Sequence, residues 1–250
     1  DSGSRRTEVP APVRTRTRPW LGVVAVVLLV ATISVLLWMR RAPDASAAAT
    51  PAAATPITFD ARLTTHPTYW PAGNLIAYAS DRATGTNLDI WLQQVKGGGR
   101  SRLTSHEADD QEPAFSPDGS IIVFRSTRDG GGIYIVSTLG GPERKLSDRG
   151  RYPRFSPDGQ WIAYSTGDLV SLFTTGKSYV IPAAGGTPRD LAPALRMSIF
   201  WGWSGDGKHA LLWGDRNFGS TDVFVQALAG GEPKATGLSK LAGTAGLVPF

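Results

Sequence analysis

Three short stretches of this 250-residue chain carry residue types that could do chemistry. Gly176-Lys177-Ser178 has the ending of a phosphate-binding loop, in which backbone N–H groups cradle phosphate oxygens and a lysine neutralises their charge. The motif needs its first glycine at position 171, which is Ser171, and the stretch leads into a β-rich run where a phosphate loop opens a helix. Gly202-Trp203-Ser204-Gly205-Asp206 approaches a nucleophile elbow for acyl transfer, but its fifth residue is Asp206 instead of glycine. His106-Glu107-Ala108-Asp109-Asp110-Gln111-Glu112 is the densest acidic cluster. The regular oxygen spacing of a calcium loop is absent from it, so a solvated acidic loop is the expected reading, with calcium as the alternative. His66 and His209 have no partner spacing that suggests a metal pair. With no cysteine, thiolate zinc sites, disulfides and cysteine nucleophiles are excluded. No catalytic residue, cofactor or metal is therefore expected in this chain.

The elements that would position such residues announce themselves by repetition. Tyr69-Trp70-Pro71-Ala72-Gly73, Phe115-Ser116-Pro117-Asp118-Gly119, Phe155-Ser156-Pro157-Asp158-Gly159 and Trp203-Ser204-Gly205-Asp206-Gly207 are four versions of one phrase. Their closing glycines are 46, 40 and 48 residues apart, the period of propeller blades. Each phrase is followed by a β-rich run: Leu75 to Tyr78, Ile121 to Phe124, Trp161 to Tyr164 and Ala210 to Trp213. A third run follows in each repeat, then a glycine turn and a charged last strand such as Arg144-Lys145-Leu146-Ser147. The glycines are expected to supply positive φ for two-residue hairpins, and the charges to protect the outer edge from further pairing. Four strands per repeat give blades at about 65–105, 111–148, 151–192 and 198–237 within a propeller domain over 58–250. Arg62-Leu63-Thr64 reads as an isolated outer strand. Because the fourth repeat has an outer strand of its own, the expectation is an open arc of a larger propeller or a strained four-blade ring. Asp1 in place of Met, and a C-terminus that resembles the approach to another blade, suggest a longer protein at both ends.

Charge separates the rest of the chain into zones. Residues 1–41 hold seven Arg against Asp1 and Glu8, and the remainder is balanced, so the whole net charge of +5 lies around one apolar run. The folded part has no basic stripe, and nucleic acid is not an expected partner. Trp20 to Met39 is free of charge and long enough to cross ~30 Å of hydrocarbon, with Trp20 and Trp38 at its ends. The division is a basic cytoplasmic juxtamembrane segment over 1–18, a transmembrane α-helix over 19–39 and an Ala/Pro linker over 40–57. Five Arg precede the span and two follow it, which places the N-terminus in the cytoplasm and the repeats outside it. A cleaved signal peptide, with Ala45-Ser46-Ala47 as its site, is the alternative.

The Phe-Ser-Pro-Asp-Gly turns, the Asp89-Ile90-Trp91 strand and the Gly-Gly turns resemble the repeats of TolB-type propellers over about residues 60–250. The fold class expected is all-β, a β-propeller with four visible blades behind one transmembrane helix. The order of basic segment, span, tether and blades also resembles the C-terminal half of bacterial membrane-anchored serine/threonine kinases. Those resemblances imply a sensor or interaction domain in the inner membrane, with the kinase upstream of residue 1 or a secreted soluble propeller as alternatives. TolB-like propellers also precede peptidase domains in one family.

The repeat register supplies candidate binding residues. His66, Glu112, Tyr152 and Phe200 occupy one position, just before each inner strand, and Arg154 lies two residues later in the third copy. These five are expected to surround one mouth of the central funnel, where loops of several blades converge. Their varied chemistry suits recognition of a protein, a peptide or an envelope component better than catalysis. The turn residues themselves are expected to be structural.

Overall fold

The computed structural model describes residues 61–70, 72–96, 98–167, 176–218 and 221–238, together with residues 29 and 32–35. Residues 1–55 and 56–250 form two units. In the first, the described residues are helical, and Thr32 donates its hydroxyl to the Leu29 carbonyl at 2.9 Å. Among the described residues no helix is long and apolar enough to cross a membrane. The expected span lies mostly outside the described residues, and the linker over 40–57 wholly so.

The second unit contains sixteen described strands in four antiparallel four-stranded meanders. Blade 1 holds β1 (Thr64–Trp70), β2 (Leu75–Ser80), β3 (Asp89–Gln94) and β4 (Arg100–Arg102). Blade 2 holds β5 (Asp110–Phe115), β6 (Ile121–Ser126), β7 (Gly132–Ser137) and β8 (Arg144–Ser147). Blade 3 holds β9 (Arg151–Phe155), β10 (Trp161–Ser165), β11 (Ser178–Pro182) and β12 (Arg189–Asp190). Blade 4 holds β13 (Met197–Trp203), β14 (His209–Asp215), β15 (Asp222–Ala227) and β16 (Lys234–Ala235).

The second strands read as continuous apolar runs because a blade between two others is buried on both faces. Successive side chains point to opposite faces. Ile122 and Phe124 of β6 thus pack with Ala77, Ala79 and Ile90 of blade 1, while Val123 packs with Ile162 and Ile181 of blade 3. In β10, Ile162 and Tyr164 face blade 2 and Ala163 faces Leu212 and Phe224 of blade 4. Each fully buried aliphatic or aromatic side chain contributes about 1.5–3 kcal/mol. Polar bonds reinforce these seams: Arg189 of blade 3 donates to the Leu228 carbonyl of blade 4 at 2.8 Å, and Arg144 of blade 2 to the Ala184 carbonyl of blade 3 at 3.2 Å.

The repeated phrase closes β5–β6, β9–β10 and β13–β14 by one scheme. The Ser116 hydroxyl donates to Asp118 Oδ1 at 2.6 Å and accepts the Ile121 N–H at 3.0 Å, and the Gly119 N–H donates to the Ser116 carbonyl at 2.9 Å. Gly119, Gly159 and Gly207 all take φ near +70° (72°, 71° and 69°), which L side chains resist. Blade 1 lacks the Ser and Asp. Its Trp70 instead crosses to the next blade, lying over Gly119 and donating Nε1–H to the Pro117 carbonyl at 3.1 Å.

Two expectations need correction. Arg62-Leu63-Thr64 is not a separate outer strand: Thr64 begins β1, and the Leu63 carbonyl accepts the Asp81 N–H beside it. The Gly-Gly pairs have positive φ, as at Gly140 (84°) and Gly141 (120°), but they do not close two-residue hairpins. The turn is Ser137 to Gly140, closed by the Gly140 N–H, and the outer strand begins only at Arg144. Blades pack in chain order, and no comparable packing closes blade 4 on blade 1 among the described residues. Leu211, on the far face of blade 4, is 36% exposed where its register equivalents Val123 and Ala163 are at 0%. The described part is an open arc.

Candidate functional site

The innermost strand of every blade breaks its pairing at the same place. The register shifts between Thr65 and Thr68, between Gln111 and Ala114, between Arg151 and Arg154, and between Phe200 and Gly202. Such bulges bend the strand and re-aim its side chains. In blades 1 to 3 the bulge is a residue followed by proline, and His66, Glu112 and Tyr152 take φ of 51°, 56° and 52°. Left-handed backbone in residues other than glycine costs of order 1–3 kcal/mol and persists where surrounding structure enforces it. Here the two flanking pairs of the strand do so, and proline removes an N–H that the broken ladder could not have used.

The bulges converge on a cavity of about 260 Å³. His66, Glu112, Tyr152, Arg154 and Phe200 all line it. The sequence places His66, Glu112, Tyr152 and Phe200 just before the inner strands; they lie instead inside those strands, at the bulges. Trp201 and Trp213 complete the wall and were not anticipated. Trp201 had a signal, since it replaces the proline found at positions 67, 113 and 153. Trp213 had none, because it reaches the cavity from β14 through its pairing with Ile199.

The polar groups divide into committed and uncommitted. Glu112, 2% exposed, accepts the Tyr152 N–H on Oε2 and places Oε1 3.5 Å from Arg151 Nη2, so its charge ties blade 2 to blade 3. Arg154 donates Nη1–H to the adjacent Pro153 carbonyl at 2.9 Å, and no carboxylate lies within ion-pair distance of it among the described residues. Arg154 is solvent-exposed and borders two cavities. Desolvation lowers its pKa from the ordinary arginine value, opposed by the charge of Glu112. Arg154 also lines a second cavity together with Thr68, Tyr69, Trp70 and Phe115. His66 is held below the ordinary histidine value, first by burial, with Glu112 opposing and Arg151, Arg154 and Arg125 adding to the depression.

The other chemical candidates have structural partners. Lys177 donates to the Leu195 carbonyl and lies 3.7 Å from Asp190, while Ser178 begins β11, so no phosphate loop forms. Ser204 donates its hydroxyl hydrogen bond to Asp206, as Ser116 and Ser156 do to Asp118 and Asp158, so it is a turn residue like them. The acidic cluster is not simply solvated. Asp110 is buried against Arg128 at 2.7 Å, Asp109 accepts the Leu88 N–H at 2.8 Å, and Glu112 belongs to the cavity. Burial raises the pKa of Asp110, with Ser126 and Arg128 opposing. Among the described residues no group of three or more His, Asp or Glu could hold a metal ion.

Comparison with known proteins places this architecture. The TolB β-propeller domain model matches residues 52–177, about half of the chain. The chain is 36% identical over 107 residues to the uncharacterized peptidase YuxL of Bacillus subtilis, covering 39% of this chain and 16% of that protein. It is 27% identical over 169 residues to tricorn protease homolog 1 of Streptomyces coelicolor, covering 58% of this chain and 15% of that protein. The chain thus spans less than a fifth of the length of either relative. The crystal structure of TolB from Acinetobacter baumannii superimposes with a TM-score of 0.56 at 22% identity, over 70% of this chain and 43% of that one. Repeat, blade topology and family match agree, and the chain belongs to the TolB β-propeller domain family.

Proposed function

We propose that this domain is a non-catalytic interaction module that binds a protein, a peptide or an envelope component at the mouth of its propeller. The observation that carries the reading is the convergence of His66, Glu112, Tyr152, Arg154 and Phe200, from all four blades, on one cavity with an aromatic wall. Pockets of this kind, apolar with a few fixed polar groups, orient and select ligands. A photo-crosslinking side chain at Tyr152 in intact cells is expected to capture one defined partner. The same group at Lys234, on the outer strand, should not capture it; equal capture at both positions would remove the mouth from consideration.

The module is further proposed to be the extracytoplasmic sensor of a single-pass bacterial inner-membrane protein, with the N-terminus in the cytoplasm. The arginine asymmetry about the apolar run supports this. A second reading, in which the propeller accompanies a catalytic domain of a longer protein, is favoured by the peptidase names of two relatives. The full open reading frame, and peptidase and kinase assays on its product, separate the two.

A further inference from the structure

Among the described residues, Arg154 in the mouth cavity has no carboxylate within ion-pair distance. Glu112 is the carboxylate among the cavity's lining residues: its Oε2 accepts the backbone N–H of Tyr152, and its Oε1, which has no hydrogen bond among the described residues, lies 3.5 Å from Arg151 Nη2. His66 is biased toward its neutral form by burial and by the arginines near it. Arg154 remains, with a single hydrogen bond to its own neighbour and its other N–H groups unmatched by any protein acceptor among the described residues. A guanidinium presents paired N–H groups in a plane that fits a carboxylate edge to edge. Tyr152, Phe200, Trp201 and Trp213 line the same cavity, a wall that takes an apolar or aromatic group.

We propose that the cavity binds the C-terminus of an extended peptide, Arg154 pairing with the terminal carboxylate and the aromatic wall receiving the last side chain. Volume and charge select this occupant. The cavity, at about 260 Å³, is small for a drug-sized ligand and holds a group of roughly residue size. A terminal residue carries its carboxylate and its side chain on one Cα, so both demands are met in that space. An internal Asp or Glu brings only methylenes to the aromatic wall and needs room for backbone in two directions. Partial exclusion of water strengthens the ion pair relative to one on an open surface. The inference rests on the mouth being the binding surface, as proposed above.

The test uses the full 250-residue chain in detergent micelles and titration of acetyl-Ala-Ala-Ala-Phe as the free acid, its C-terminal amide, and acetyl-Ala-Asp-Phe-Ala amide as an internal-carboxylate control. The free acid is expected to bind at least about tenfold more tightly than either amide. Arg154→Gln should abolish that preference, and Arg154→Lys should keep part of it, both variants melting near the parent. Equal binding of acid and amide, or a preference that survives in Arg154→Gln, overturns the inference. So does a lack of binding by free-acid peptides ending in Phe, Leu or Ala. Trp201→Ala separates this failure from failure of the mouth itself. If acid and amide bind equally and both weaken in Trp201→Ala, the mouth stands as the binding surface and only the carboxylate reading falls.

Discussion

His66 shows at residue scale how the mouth cavity registers pH. Its folded-state pKa lies below the unfolded value because burial, and the charges of Arg151, Arg154 and Arg125, outweigh the favourable Glu112. Between the folded pKa and about 6.5 the unfolded chain binds more protons than the native one, so stability falls as pH drops through that window and levels off below it. His66→Gln removes this component. Melting curves at pH 7.5 and 5.5 should therefore show the variant gaining on the parent at the lower pH, the buried Asp89 and Asp110 being common to both. Gly119 and Gly159 give a second contrast. Both have φ near +70°, but an added Cβ at 119 would lie 2.4 Å from the Trp70 indole, while at 159 its nearest neighbour is Pro117 at 3.5 Å. Gly119→Ala should cost about 1–3 kcal/mol and Gly159→Ala the lower end of that range, measured by urea denaturation.

At the scale of the elements, period-two alternation in the second strands determines which neighbour each residue meets. Leu212 is fully buried against blade 3, and its neighbour Leu211 points to the uncovered side of blade 4. Leu212→Ala should destabilise by about 2–5 kcal/mol and Leu211→Ala by about 1 kcal/mol or less, as read from denaturant midpoints. A smaller loss at 212 than at 211 would mean the register of β14 is wrong. Strand number, order and most boundaries were legible because turn glycines and apolar runs are local signals. The Gly-Gly turns are not legible in the same way, because loop length depends on where the outer strand resumes pairing, which is a property of the sheet. The bulges were invisible for the same reason, although the dipeptides His66-Pro67, Glu112-Pro113 and Tyr152-Pro153 mark them once the register is known.

At the scale of the whole molecule, the proposed topology makes its own prediction. The five Arg before the apolar run outnumber the two after it. Neutralising Arg14, Arg16 and Arg18 together with Arg5 and Arg6 should therefore invert the chain in a measurable fraction of molecules. A periplasm-active reporter fused at the C-terminus would lose activity in proportion to the inverted fraction in that variant, and a reporter active only in the cytoplasm of the parent would overturn the orientation. The described blades form an open arc whose cores lie between neighbours, a quasi-one-dimensional arrangement in which each seam contributes separately. The amino-acid sequence by itself determined the repeat, the four-stranded blade and the register of equivalent positions, because these follow from chain-local periodicity and turn chemistry. Only the tertiary structure decided which of those positions share a cavity, that Glu112 is tied to blade 3 while Arg154 has no carboxylate within ion-pair distance among the described residues, and that Trp201 and Trp213 make the wall. Those outcomes depend on how neighbouring blades pack and where each bulge aims its side chains, and blade packing brings together residues up to 147 positions apart, from His66 to Trp213.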